Sequence, residues 1–310
     1  MRLKVWGARG SVASPGAETT RYGGNTSCVA VTLQDGSLLV LDAGTGLRTL
    51  GLALERRPLP PVIHILLTHL HLDHIQGLMF FAPCFAPDTR IVIWGPPDPT
   101  ETLEDRLGRY ISSPLAPMEI GELSCNEVSF RDCPREWEIG SALVQSAPVV
   151  HRGPTLGFRI TDGNESLCYI PDHEPALGTP LGDADSEWIS GFGLARRASL
   201  LVHDCQYADE EYPAHVGWGH SGMGDALTFA ARTEAERVLL FHHDPMHGDA
   251  MLDRFGARAR DRWRTLGGRP GSVSLAHEGE ELLLGARVAR PRPTVVAPAR
   301  RATGATVTAA

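Results

Sequence analysis

Thr68-His69-Leu70-His71-Leu72-Asp73-His74 places three imidazoles and one carboxylate within residues 69–74. An apolar run, Val62 to Leu67, leads into it, and a second, Ile75 to Ala82, leads out. A strand, a tight polar turn and a helix start over Ile75 to Phe81 would put all four side chains at one edge of a sheet. The pattern His-x-His-x-Asp-His has no packing rationale. Neutral imidazoles and carboxylates are the donors that Zn²⁺ prefers, and two such ions can share a cluster completed from elsewhere in the chain.

The rest of the chain offers candidates to complete it. Ser37 to Leu41 runs into Asp42, Leu143 to Val150 into His151, and Ser166 to Ile170 into Asp172. Leu200 to Val202 runs into His203-Asp204, and Val238 to Phe241 into His242-His243. With Val62 to Leu67, six apolar strand-like runs each end on an ionisable residue. Strand ends of like orientation line one sheet edge, where ligands bind. Six such endings predict one convergent site. Helices are expected at 47–56, 102–111, 224–232 and 251–266. Their loose alternation with strands predicts mixed sheets covered by helices.

Bulk composition narrows the class. At 310 residues, 42% hydrophobic and 21% charged, the chain can bury a large core. A net charge of -8 excludes the global basic field of non-specific nucleic-acid binders. It leaves room for a small phosphorylated substrate, since a cation cluster inverts the local field. Met1 to Gly7 lacks the features of a signal peptide, and no apolar run reaches membrane-spanning length. The six cysteines form no Cys-x-x-Cys pair, so no disulfide framework is indicated and a cytoplasmic location is expected.

The loop from Gly7 to Asn25 is long for a compact domain unless it lines a site. Residues 96–118 read as an insertion packing over the site edge. From residue 287 onward, Pro, Ala, Thr and Arg replace apolar periodicity, and a disordered tail is expected over 287–310. One domain is then expected over 1–286.

The His-x-His-x-Asp-His motif, followed by a lone His, a lone Asp and a final His at later strand ends, resembles the metallo-β-lactamase superfamily. That resemblance implies an αββα sandwich with a two-metal site along the sheet edge, holding two Zn²⁺ or, alternatively, Mn²⁺. It implies that His69, His71 and His151 hold one ion. Asp73, His74 and His242 would hold the other, and Asp172 would bridge both. His71, where an iron-dependent branch carries Glu, favours zinc. Phe241-His242-His243-Asp244-Pro245 resembles the closing motif of the phosphodiesterase branch, with His242 as ligand and His243 behind it. Asp42 is expected to orient a ligand histidine by accepting its second ring proton, and Gly44 and Gly46 to let the backbone pass close to the cluster.

Further blocks are similar to the group of the tRNA 3′-processing endonuclease and cyclic-nucleotide phosphodiesterases. They are Gly7-Ala8-Arg9-Gly10-Ser11, Arg21 to Cys28, Leu41 to Gly46, and Gly217-Trp218-Gly219-His220-Ser221. By that resemblance His220, paired with Asp204, protonates the leaving oxygen, while Asp73 orients a metal-bridging hydroxide. Ser221 is the candidate cap of the helix that follows. Arg9, Arg21, Arg152 and Asn25 are candidate substrate contacts. Two positions depart from the branch: Pro171-Asp172-His173 stands where relatives carry Thr-Asp-Thr, and Gly222 where they carry Thr. There is also no long basic arm, which argues against large nucleic acids such as tRNA. The expected activity is hydrolysis of a small cyclic or nucleotide phosphodiester. The alternatives are acyl hydrolysis of an ester, thioester, lactone or lactam at the same metals, or a metal-bound sensor without catalysis. A homodimer is implied by resemblance alone.

Overall fold

Strands whose residues are buried on both faces need cover on both sides, and that requirement sets the layers of this chain. The computed structural model describes residues 1–56, 58–123 and 125–285; the tail expected over 287–310 lies outside them. The first half supplies β1 (Arg2–Gly7), β2 (Cys28–Thr32), β3 (Leu38–Leu41), β4 (Val62–Leu66), β5 (Arg90–Gly95) and β6 (Glu127–Asp132). The second supplies β7 (Glu136–Ile139), β8 (Ala142–Pro148), β9 (Leu156–Asp162), β10 (Glu165–Ile170), β11 (Leu200–Asp204), β12 (Val238–Phe241) and β13 (Val273–Leu275). The chain then returns as β14 (Glu281–Leu283) to pair with β1. Two seven-stranded sheets result, ordered β14-β1-β2-β3-β4-β5-β6 and β13-β12-β11-β10-β9-β8-β7.

Strand alternation divides the apolar side chains cleanly. Leu39 and Leu41 of β3 face Phe158, Tyr169 and Phe241 in the core between the sheets. Leu38 and Val40 face the other way, into the layer of α1 (Gly46–Leu54), α2 (Leu72–Ile75) and α3 (Leu103–Gly108). On the second sheet, Cys168, Leu201 and Leu240 meet α4 (Phe192–Ala195), α5 (Met223–Arg232) and α6 (Asp249–Thr265). Helical spacing explains the match: Leu252, Phe255, Ala259 and Trp263 form one buried stripe along α6. The architecture is the expected αββα sandwich.

Strand direction positions the site. β3, β4 and β5 run parallel, as do β10, β11 and β12. β8 lies two antiparallel steps from β10 and so runs with it. The residues that follow or end β3, β4, β8, β10, β11 and β12 therefore emerge at one edge.

Two local expectations need correction. The helix expected over Ile75 to Phe81 starts earlier and ends at Ile75, with a separate 3-10 turn at Leu78–Phe80. Ala43 N–H donates to His74 O and Gly77 N–H to Ala43 O, so this backbone bonds to the loop after β3 instead of continuing a helix. Ser221 does not cap α5: the cap position is Gly222, and Ser221 Oγ donates to His173 O at 2.6 Å. The 96–118 segment puts Leu103, Leu107 and Ile111 into the outer layer of the first sheet. Its Tyr110 hydroxyl donates to Gln76 O, two residues past His74. All six cysteines are free thiols. Among the described residues, no helix is long and apolar enough to cross a membrane.

Candidate metal centre

The seven side chains predicted as ligands meet at the shared edge. Asp172 is central: its Oδ2 lies 3.8 Å from His69 Nε2, 3.6 Å from His151 Nε2 and 3.4 Å from His242 Nε2. Its Oδ1 lies 3.1 Å from His74 Nε2. Asp73 Oδ2 sits 3.2 Å from both His74 Nε2 and His242 Nε2. His71 approaches with Nδ1, 3.2 Å from His151 Nε2. Donor atoms of His69, His71 and His151 form one group within 4.8 Å, and those of Asp73, His74 and His242 form another.

Hydrogen bonds on the far side of the rings fix which nitrogen faces inward. His74 Nδ1 donates to Asp42 Oδ2 at 2.9 Å, and His151 Nδ1 to Gly219 O at 2.7 Å. His242 Nδ1 donates to Gln206 Oε1 at 3.0 Å. Thr68 Oγ1 donates to Asp42 and accepts from His69 Nδ1 at 3.0 Å. With Nδ1 carrying the proton on these four rings, Nε2 offers its lone pair to the cluster, as ligand histidines require.

A cation suits what is left over. His69 Nε2, His74 Nε2 and Asp172 Oδ1 are buried and have no hydrogen-bond partner. Unpaired buried polar atoms are costly, so three converging on one point call for a shared electrophile. The titration behaviour agrees. Burial drives His69, His71 and His151 toward their neutral, ligating forms. Burial also opposes a charge on His74, yet Asp172, Asp73 and Asp42 together raise its pKa well above that of an ordinary imidazole. Asp172 is held well below the usual carboxylate range by His242, His74 and His69, against its own burial. The carboxylates here demand positive charge, and without metal a proton on His74 supplies it. The residues present fit a pair of divalent cations.

On the open side, His220 Nδ1 donates to Asp204 Oδ2 at 2.6 Å, and its ring stacks on that of His242 with centroids 4.8 Å apart. Burial lowers its pKa, but the charge and hydrogen bond of Asp204 outweigh that and raise it to about 9. Asp204 is itself fixed by the backbone N–H groups of His173, Gln206 and Ser221.

Backbone crowding explains two glycines. A Cβ on Gly10 would lie 2.4 Å from His242 Nδ1, and one on Gly44 would lie 2.3 Å from Asp73 O. The departures are also accommodated. The His173 ring turns away from the cluster, contacting His203 Nε2 at 2.9 Å and Ser190 Oγ at 2.8 Å. At Gly222 a Cβ would press on Tyr212, 3.1 Å away.

Other candidates lie elsewhere. Asn25, expected at the substrate, gives its backbone N–H and its amide to Glu278. Arg9 is fully buried, and its guanidinium binds the carbonyls of Gly23, Asp244 and His247, so it clamps the 7–25 loop and touches no solvent. Arg21 pairs with Asp253. His243 is pushed down to about 3 by burial and reaches Ala276 O, not the cluster. Arg152 is exposed beside it, its Nε donating to Gly217 O. Four contributors were not anticipated: Thr68, Gln206, Tyr169, whose hydroxyl donates to Asp42 at 3.0 Å, and Ser11, whose backbone N–H donates to Asp73 at 2.7 Å. Thr68 and Gln206 carried a readable signal, each as a polar residue two positions beyond a strand end.

Comparison with known proteins agrees with this geometry. Residues 38–243 match the beta-lactamase superfamily domain. Over 256 residues the chain is 25% identical to ribonuclease Z of Myxococcus xanthus (strain DK1622), covering 69% of this chain and 78% of that protein. The crystal structure of human tRNase Z, short form, superposes with a TM-score of 0.62 at 21% identity, over 92% of this chain and 99% of that one. A diphosphatase of the PhnP family gives 0.63 at 20% identity, over 91% and 97%. On the family match and the paired seven-stranded sheets, this chain belongs to the beta-lactamase superfamily and has the metallo-β-lactamase fold.

Proposed function

We propose that the chain is a phosphodiesterase acting on a small cyclic or nucleotide phosphodiester at two divalent cations, zinc or alternatively manganese. His69, His71 and His151 would hold one, Asp73, His74 and His242 the other, and Asp172 both. When bound, such a pair supplies an acidified water as nucleophile and a Lewis acid for the phosphoryl oxygen. Asp73, tied to Ser11, orients the attacking water. Asp42, Thr68, Gln206 and Gly219 hold the rings in register.

The observation that carries the choice of a phosphorus ester is the His220–Asp204 pair at the rim of the cluster. A departing alkoxide is a strong base and needs a proton in the transition state. With Nδ1 committed to Asp204, His220 gives that proton from Nε2, and the neutral ring stays bonded to Asp204. Bound cations would disfavour that proton, and Asp204 is the charge that holds it in place. Relatives named ribonuclease Z and diphosphatase support this reading.

The test compares leaving groups. His220→Ala is expected to lower kcat on adenosine 3′,5′-cyclic monophosphate by about 10²- to 10⁴-fold, but on bis-p-nitrophenyl phosphate by less than about tenfold, because nitrophenolate leaves unaided. Equal sensitivity of both substrates contradicts the assignment. Turnover of a lactone or thioester that ignores His220, without phosphodiester turnover, would mark an acyl hydrolase. The pH profile adds a sign. In the metal-free chain the acid form of His220 is present below its raised pKa of about 9 and is lost as pH rises through it; bound cations would bring that limit down. Asp204→Asn removes the charge that raises it, so the alkaline limb of kcat should move to lower pH.

A further inference from the structure

Trp218 stands in the Gly217-Trp218-Gly219-His220-Ser221 block, and nothing in the chemistry above uses it. It is 54% exposed, less than Trp188 at 87%, but unlike Trp188 it lies two residues from His220. Its place is fixed by its neighbours. Gly219 O holds His151, and His220 holds the proton, so the Trp218 Cα lies within about 7 Å of the His220 Cα by chain connectivity.

The segment is braced. Buried Glu174 accepts from Gly217 N at 2.8 Å and from Gly219 N at 2.7 Å. Arg152 Nε donates to Gly217 O at 3.0 Å. The indole meets His215 edge-on, centroids 5.0 Å apart, and His215 in turn stacks on Tyr207 at 4.3 Å. The result is a braced, half-exposed ring two residues along the chain from His220. Leu72, between His71 and Asp73, is 53% exposed, and Val12, beside Ser11, is 51% exposed. A polar cluster whose chain neighbours include exposed apolar and aromatic side chains suits a ligand that is anionic at one end and flat and apolar at the other.

We infer that Trp218 is the stacking platform for the nucleobase of the substrate, with Arg152 beside it on the phosphate side. This rests on the phosphodiesterase reading and narrows it to nucleoside-bearing phosphodiesters. Base–aromatic stacking is tolerant of base identity, so the platform selects for a base without selecting among bases.

Two esters with the same leaving group separate this inference from the reading beneath it: thymidine 5′-(p-nitrophenyl phosphate) and methyl p-nitrophenyl phosphate. The metal-loaded full chain should prefer the nucleoside ester in kcat/KM. In Trp218→Ala that preference should fall by about 10- to 100-fold, mostly through KM, and Trp218→Phe should retain most of it. An equal loss on both esters means that Trp218 only supports the His151 loop, and an unchanged preference means that the base binds elsewhere; either overturns the platform. If wild type hydrolyses neither ester, the phosphodiesterase reading fails and the platform is judged by binding. Saturable quenching of tryptophan fluorescence by adenosine 5′-monophosphate, lost in Trp218→Ala, upholds it. Absence of quenching in wild type overturns it.

Discussion

Asp172→Ala should strip metal and turnover together, with kcat/KM falling by roughly a thousandfold, about 4 kcal/mol at the barrier. Among the described residues, Asp172 is the only side chain whose carboxylate lies within 4 Å of ring nitrogens on both sides of the cluster: His69 and His151 on one, His74 and His242 on the other. Without it, each group of three donors loses its link to the other. Its buried Oδ1 has no hydrogen-bond partner. Metal per chain and kcat/KM, measured on the same preparation, check the result. Retention of both would remove Asp172 from the shared position.

Asp42→Ala should act on the fold as well as on the site. Four donors converge on this buried carboxylate: Thr68 N at 2.8 Å, Thr68 Oγ1 at 3.0 Å, His74 Nδ1 at 2.9 Å and the Tyr169 hydroxyl at 3.0 Å. Alanine leaves them unpaired in the interior, which costs on the order of 3–5 kcal/mol of stability. It also frees the His74 ring to turn, and losing such an outer partner weakens metal binding by about 10- to 100-fold. Asp42→Asn should be milder. Asparagine tolerates the left-handed backbone at this position, φ 57°, and keeps one acceptor oxygen. Thermal melts and zinc titrations of both variants give the ranking; an alanine variant as stable as wild type would mean that the four donors find other partners.

These residues show what could be read in the sequence and what could not. The central strands were legible where an apolar run stops on an ionisable residue, because that pattern belongs to a strand delivering a side chain to an edge. The strands that went unnamed include all four sheet edges, β14, β6, β13 and β7. They are short or studded with charge, as in Glu136-Trp137-Glu138-Ile139, and one side of each faces no partner. β5 is central and apolar but runs into Gly95-Pro96, so it has no ligand to announce it. At the site, the convergence of the seven side chains was legible because histidines and aspartates at strand ends announce a shared edge. Their support was less so. The bond from Ser11 to Asp73 uses a backbone N–H presented by a left-handed residue, φ 61°. Any side chain at position 11 could make that bond, so no residue type marks it. Arg9 and Asn25 misled for a related reason. Arginine and asparagine in a site-lining loop suit a phosphate, but here they hold the loop to Gly23, His247 and Glu278.

Counting the metal is the most direct test of the whole account. The chain, expressed with ample zinc and manganese and purified without chelator, should carry about two equivalents per molecule by elemental analysis, one for each group of three donors. A content near zero under those conditions would contradict the central claim that these side chains form a two-cation site.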